Sequence, residues 1–95
     1  MKILAIEKEI STTKNAFSPY LESEAKRVWE LYESSVLREI YFREDEPRAV
    51  LVLECSGVEE AEAILATLPL VKKQMIAFDI VPLVPYTGLA RLFKK

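Results

Sequence analysis

The sequence predicts an α+β fold with four strands and two helices in the order β-α-β-β-α-β, and three observations carry that prediction. An amphipathic helix opens at Ser56, stops at Pro69 and feeds a long apolar strand over residues 75–84. Two β-rich runs, residues 36–43 and 48–55, flank the charged turn Glu44-Asp45-Glu46-Pro47. A second helical pattern, starting at Ser18-Pro19, separates that pair from a short apolar run at residues 2–7.

Taken in order, residues 2–7 form the first strand and the Ser, Thr, Lys and Asn content of residues 10–17 makes a loop. Ser18 is placed as an N-cap with Pro19 at the first helical position, where its missing N–H costs nothing. Leu21, Ala25, Val28 and Tyr32 then share one helix face, with Trp29 and Leu31 beside it, and the helix ends near Ser34-Ser35. The strand at 36–43 supplies Val, Ile, Tyr and Phe, and the strand at 48–55 reads RAVLVLEC. Ser56 and Glu59 have the S-x-x-E spacing of a capping box. Val58, Ala61, Ile64, Leu65 and Leu68 make the apolar stripe of the helix that follows. Pro69 ends it, because a proline inside a helix removes a hydrogen bond and clashes with the preceding turn. The resulting order is the ferredoxin-like βαββαβ plan, an antiparallel sheet with two helices on one face.

Ninety-five residues make one domain, and half of them are hydrophobic, more than a lone domain of this size hides. Both parities of the strands are apolar, Ile3 and Ala5 against Leu4 and Ile6, or Leu51 and Leu53 against Val50 and Val52. A half-solvated sheet alternates apolar and polar residues instead. The second face is therefore expected to be covered by another protomer, making a homodimer or higher homo-oligomer. One cysteine, Cys55, excludes an intramolecular disulfide and reads as a small buried residue in a reducing compartment. The first apolar run is too short for a signal peptide or a membrane span, so the expected location is cytoplasmic.

Charge divides the chain. Residues 1–70 carry 8 basic and 14 acidic side chains, residues 71–95 carry 5 and 1, and the net is −2. That balance gives no drive toward nucleic acid. The third strand also lacks the aromatics and basic-glycine start of an RNA-recognition sheet. With no histidine and one cysteine there is no transition-metal ligand set and no Ser-His or Cys-His nucleophile. The two glycines, Gly57 and Gly88, make no phosphate loop, and no cofactor is expected.

Polar side chains embedded in the apolar strands are the chemical candidates: Glu7, Arg38, Glu39, Tyr41, Glu54 and Asp79. A desolvated carboxylate makes a general acid or base, while the structural alternative is an ion pair at a strand end or between subunits. Trp29 and Tyr32 read first as core and second as a ligand platform. Lys72-Lys73 reads as a solvated pair in the turn after Pro69.

At Leu68-Pro69-Leu70, followed by Ala77-Phe78-Asp79-Ile80-Val81-Pro82-Leu83, the chain resembles the muconolactone isomerase-like family of the dimeric α+β barrels. The likeness extends back through Val52-Leu53-Glu54 and Gly57-Val58-Glu59 to Arg38-Glu39-Ile40-Tyr41. It implies a homodimer with sheets packed face to face, and a small pocket between sheet and helices. It also implies a cofactor-free proton shift in a small organic acid or lactone. Carried over by position, Arg38 would bind the anion, and Glu54 or Asp79 would move the proton; Tyr41 and Tyr32 stand beside them as ligand-binding candidates.

Two function classes follow. One is that cofactor-free enzyme; the other is a non-catalytic homo-oligomeric ligand-binding or assembly module. In either, residues 86–95 are expected to be a docking tail, since Leu89, Leu92 and Phe93 form one apolar edge while Arg91, Lys94 and Lys95 stay polar.

Overall fold

The computed structural model describes residues 1–10 and 14–93. Strand β1 is Lys2–Glu9, helix α1 is Leu21–Glu33, and strands β2 and β3 are Leu37–Phe42 and Ala49–Glu54. Helices α2 (Val58–Leu65) and α3 (Pro69–Lys72) lead to strand β4, Ile76–Leu83. The sheet is antiparallel throughout, ordered β2-β3-β1-β4, which makes the architecture α+β and compatible with a ferredoxin-like fold. Among the described residues no helix is long and apolar enough to cross a membrane.

Alternation along the strands fixes which face meets the helices. Ile3 and Ala5 of β1, Leu37 of β2, and Leu51 and Leu53 of β3 are buried in one cluster with Leu31, Ala61, Leu65 and Leu68 from the helical side. Cys55 joins the same core, as its small apolar character led us to expect. The opposite face carries Leu4, Ile6, Val50 and Val52, all half-buried, and the more exposed Tyr41 and Val81. Among the described residues no helix covers it.

Three local expectations are corrected. Ser18-Pro19 does not open the first helix: Lys14–Tyr20 is a 3-10 segment, and α1 begins at Leu21 without a side-chain cap. The proline fits the tighter turn as readily as an α-helical first turn. Glu59 does not close a capping box either. The Ser56 N–H is accepted by Glu60 Oε1 at 3.1 Å, and Gly57 takes the N-cap position. Third, Pro69 starts α3 instead of simply ending α2, so Lys72 closes a helical turn and the Lys73 ammonium lies 5.6 Å from the Tyr20 ring centre. Residues 11–13 of the expected 10–17 loop, and Lys94 and Lys95 of the expected tail, lie outside those described.

Both returns from helix to sheet use a non-glycine residue in the left-handed region, Ser35 (φ 68°) and Gln74 (φ 59°). In each the next N–H reaches back across the helix end, Val36 N to Leu31 O at 3.1 Å and Met75 N to Leu70 O at 3.0 Å. These closures aim β2 and β4 into the sheet.

Beyond β4 the chain runs outward through a short 3-10 turn, Gly88–Leu92. The radius of gyration is 15.8 Å and the longest dimension 60 Å. A compact domain of this length would have a radius near 12 Å. Val84 and Phe93, about four-fifths exposed, bound this projecting segment.

Candidate functional site

A cavity of about 770 Å³ lies between the sheet and α1 at the end of the sheet where β2 turns into β3. Its walls are apolar: Leu21, Ala25 and Val28 from α1, Ile40 and Leu51 from the sheet, and Phe78 from β4. Leu68 and Leu70 close it from the α2–α3 side. The volume falls in the range of small-molecule sites, which are mostly apolar with a few placed polar groups.

Two carboxylates supply those groups. Glu24 projects from α1 and its Oε1 accepts the Leu70 N–H at 3.0 Å. Burial pushes its pKa above the ordinary carboxylate value; the Leu70 N–H pulls part of the way back, and the charge of Glu7 pushes it up again. Glu7 lies on β1, on the core side of the sheet with Ile3 and Ala5, and its Oε1 accepts the Ala49 N–H at 3.0 Å. Next to the Glu24 clasp, Arg27 Nε donates to Thr67 Oγ1 at 2.8 Å, so two polar contacts one helical turn apart fix α1 to the α2–α3 connection. They hold the roof of the cavity in place.

The mouth is the β2–β3 turn. Arg43 is gripped there by Asp45, through Nε at 2.9 Å and Nη2 at 2.6 Å, and by Glu46 at 2.8 Å. That fork holds the Asp45 carboxyl below its ordinary range and pushes Arg43 up. Arg43 is the only cation among the described lining residues, and it is already committed. Glu44, Asp45 and Glu46 leave the rim acidic.

Of the residues expected from sequence, Glu7 lines this cavity, whereas Arg38, Tyr32, Tyr41, Glu54 and Asp79 lie elsewhere. Arg38 is the extra residue of an irregularity in β2, between Leu37 and Glu39, and its Nε donates to Ser35 O at 2.6 Å. It shares a second, more open groove of about 580 Å³ with Trp29, Tyr32 and Glu33. The Trp29 and Tyr32 rings lie 5.8 Å apart and are more than half exposed, so they are not core. Tyr41, Glu54 and Asp79 are on the sheet face without helices. The Tyr41 hydroxyl donates to Glu39 at 2.7 Å, which raises its pKa. Glu54 Oε2 accepts from the Met1 ammonium at 2.6 Å, which holds the carboxyl low. Asp79 pairs with Lys8 at 3.0 Å. The fold thus brings Arg38 and Tyr32 together, leaves Glu54 within reach of the Arg38 charge, which helps to lower its pKa, and sets Asp79 apart with Lys8.

Glu24 is not among the residues expected from sequence, yet the sequence carries a signal for it. Leu21, Glu24, Ala25 and Val28 stand at i, i+3, i+4 and i+7, so Glu24 occupies the apolar stripe and not the solvated face. Glu7, already marked as a polar residue in an apolar strand, shares the parity of Ile3 and Ala5. No group of described residues forms a cluster able to hold a metal ion. No protein-family model matches the chain, and no curated protein matches it.

Proposed function

We propose that the chain is a small-ligand protein whose apolar cavity carries out cofactor-free proton transfer, with Glu24 as acid and base. The observation that carries this reading is a carboxyl with a raised pKa inside an apolar cavity of about 770 Å³. Such a group exchanges protons nearer neutrality than a solvated glutamate, which is what a general acid–base needs. Its Oε1 is engaged by Leu70, so the proton is carried at Oε2.

A small unsaturated lactone or related carbonyl compound suits this site, as the resemblance to muconolactone isomerase-like proteins suggested. Ionised Glu24 removes a proton from the carbon beside the carbonyl. The C–H pair moves into the adjacent bond and the carbonyl oxygen takes the charge. The proton on Glu24 exchanges with solvent, and a proton then returns from it either to the same carbon or to the far end of the conjugated system; in the second case the double bond has moved. Two copies packing their uncovered sheet faces would complete a dimeric α+β barrel, leaving each cavity on the outer, helical side.

The test is solvent deuterium exchange at the carbon beside the carbonyl of an unsaturated γ-lactone, followed by NMR, with N-phenylnaphthylamine fluorescence reporting cavity binding. Catalysed exchange should fall about 10²-fold or more in Glu24→Gln, the usual worth of a general base, while dye binding persists. Dye binding with exchange no faster than buffer overturns catalysis and leaves the ligand-binding module.

A further inference from the structure

The cavity mouth and the projecting tail are complementary, and they sit at opposite ends of the protomer. Leu83, the last residue of β4, pairs with Lys2, whereas the cavity begins at Glu7 on the same strand β1. Five residue rises separate those positions, about 17 Å at roughly 3.4 Å per residue. From Leu83 the chain extends outward, which is why the molecule reaches 60 Å. To enter its own cavity the tail would have to fold back along the sheet. A second copy meets no such obstacle.

The chemistry of the two surfaces matches. The tail presents Leu89, Leu92 and Phe93, all at least 60% exposed, together with Arg91, and two lysines follow in the sequence. The cavity offers apolar walls and a rim where Asp45 and Glu46 pair with Arg43. Glu46 also lies 3.8 Å from Arg48, so that three carboxylates face two cations and the rim keeps an excess of negative charge beside Glu44. An exposed apolar edge carrying cations fits an apolar opening edged with carboxylates, and such charge complementarity fixes partner and register.

We propose that the tail of a second copy closes the cavity mouth, seating Leu92 and Phe93 on its apolar lip and bringing Arg91 to the acidic rim. The exchange is reciprocal, so two copies close each other's sites. It rests on the reading of the cavity as the ligand site, and it supplies what that site lacks. Arg91 of a second copy brings positive charge toward a carbonyl oxygen that becomes negative during proton transfer.

Disulfide trapping tests it on the full-length chain. Ala90→Cys and Pro47→Cys variants, the second at the rim and sparing its carboxylates, are prepared separately, mixed and oxidised; Cys55 is buried in both. A cross-linked species containing one chain of each is expected. Arg91→Glu in the Ala90→Cys chain should lower its yield about ten-fold, and Arg91→Lys should largely keep it. A dimer in sedimentation with no mixed cross-link overturns the proposal. So does a cross-link of monomer mass in a chain carrying both cysteines. N-phenylnaphthylamine fluorescence in the same samples separates the two readings. Dye binding without a mixed cross-link overturns the tail alone, whereas a mixed cross-link in a protein that never binds dye overturns the ligand site and upholds the tail.

Discussion

Glu24 on α1 accepts a hydrogen bond from the Leu70 backbone N–H on α3, 3.0 Å away across the roof of the cavity. The bond spans 46 residues of sequence and satisfies an N–H at the start of a four-residue helix. It sets a carboxylate where a solvated side chain would ordinarily not be.

The pH dependence follows from the sign of the shift. Burial raises the Glu24 pKa, so the folded chain holds this proton more tightly than the unfolded chain. Its contribution to stability is complete below the ordinary value of 4.5 and is lost as pH climbs through the folded pKa. Glu24→Gln removes the charge and keeps an oxygen for the Leu70 N–H. The variant should melt a few degrees higher than the parent near neutral pH, with the gap closing near pH 4. Melting scans across that range would check it, and a gap independent of pH would show that Glu24 is not desolvated.

Filling the cavity separates it from the groove beside Arg38. Ala25 is exposed on α1 and lines the cavity, so Ala25→Trp adds bulk there without displacing core atoms. N-phenylnaphthylamine affinity should fall about ten-fold or more, the scale of a contact worth roughly 1.4 kcal/mol, with the melting midpoint nearly unchanged. Arg38→Ala, in the other groove, should leave dye affinity within about two-fold. Equal losses in both variants would place the dye outside the cavity.

The core makes a third expectation concrete. Leu51 is almost fully buried in the centre of the sheet and also touches the cavity. Leu51→Ala should cost about 2–5 kcal/mol in denaturant unfolding, the usual range for a buried leucine. A cost under about 1 kcal/mol would mean that the cavity already leaves this side chain poorly packed.

Most of the architecture was legible because its signals are local. Strand pairing followed from runs such as Ala49–Glu54 and from a charged turn, and the helix stripes from residue spacing. What escaped depends on contacts distant in sequence. Nothing near Pro69 says whether it ends one helix or begins the next; the position of Leu70 against α1 decides it. The cavity carboxylate Glu24 escaped for a similar reason. Glu54, Asp79 and Tyr41 drew attention as polar residues in apolar strands, but parity places them on the sheet face away from the helices. Arg38 lies in an irregularity that no pattern of alternation reveals. Glu24 looked like one acidic residue among several on an amphipathic helix until the stripe was followed through it.

The uncovered sheet face carries the last prediction. Val52 sits near its middle, paired in register with Leu4 on one side and Glu39 on the other. Around it Leu4, Ile6 and Val50 are half-buried within a single chain, and Val81 is 40% exposed. A contiguous apolar patch of this kind marks an interaction surface, and a second copy of the same face would bury it on both sides. Val52→Lys places an ammonium at the centre of that contact. It touches none of the helix-side core, so the protomer should still fold. That ammonium would face Glu39 across the strand pair, and burying such a charge pair in a dry interface is costly enough to prevent association. Sedimentation at micromolar concentration should therefore give a dimer or larger for the parent and a monomer for Val52→Lys, with unchanged far-ultraviolet circular dichroism. A parent that sediments as a monomer would show that this face stays in water. A variant that remains dimeric would move the contact to another surface.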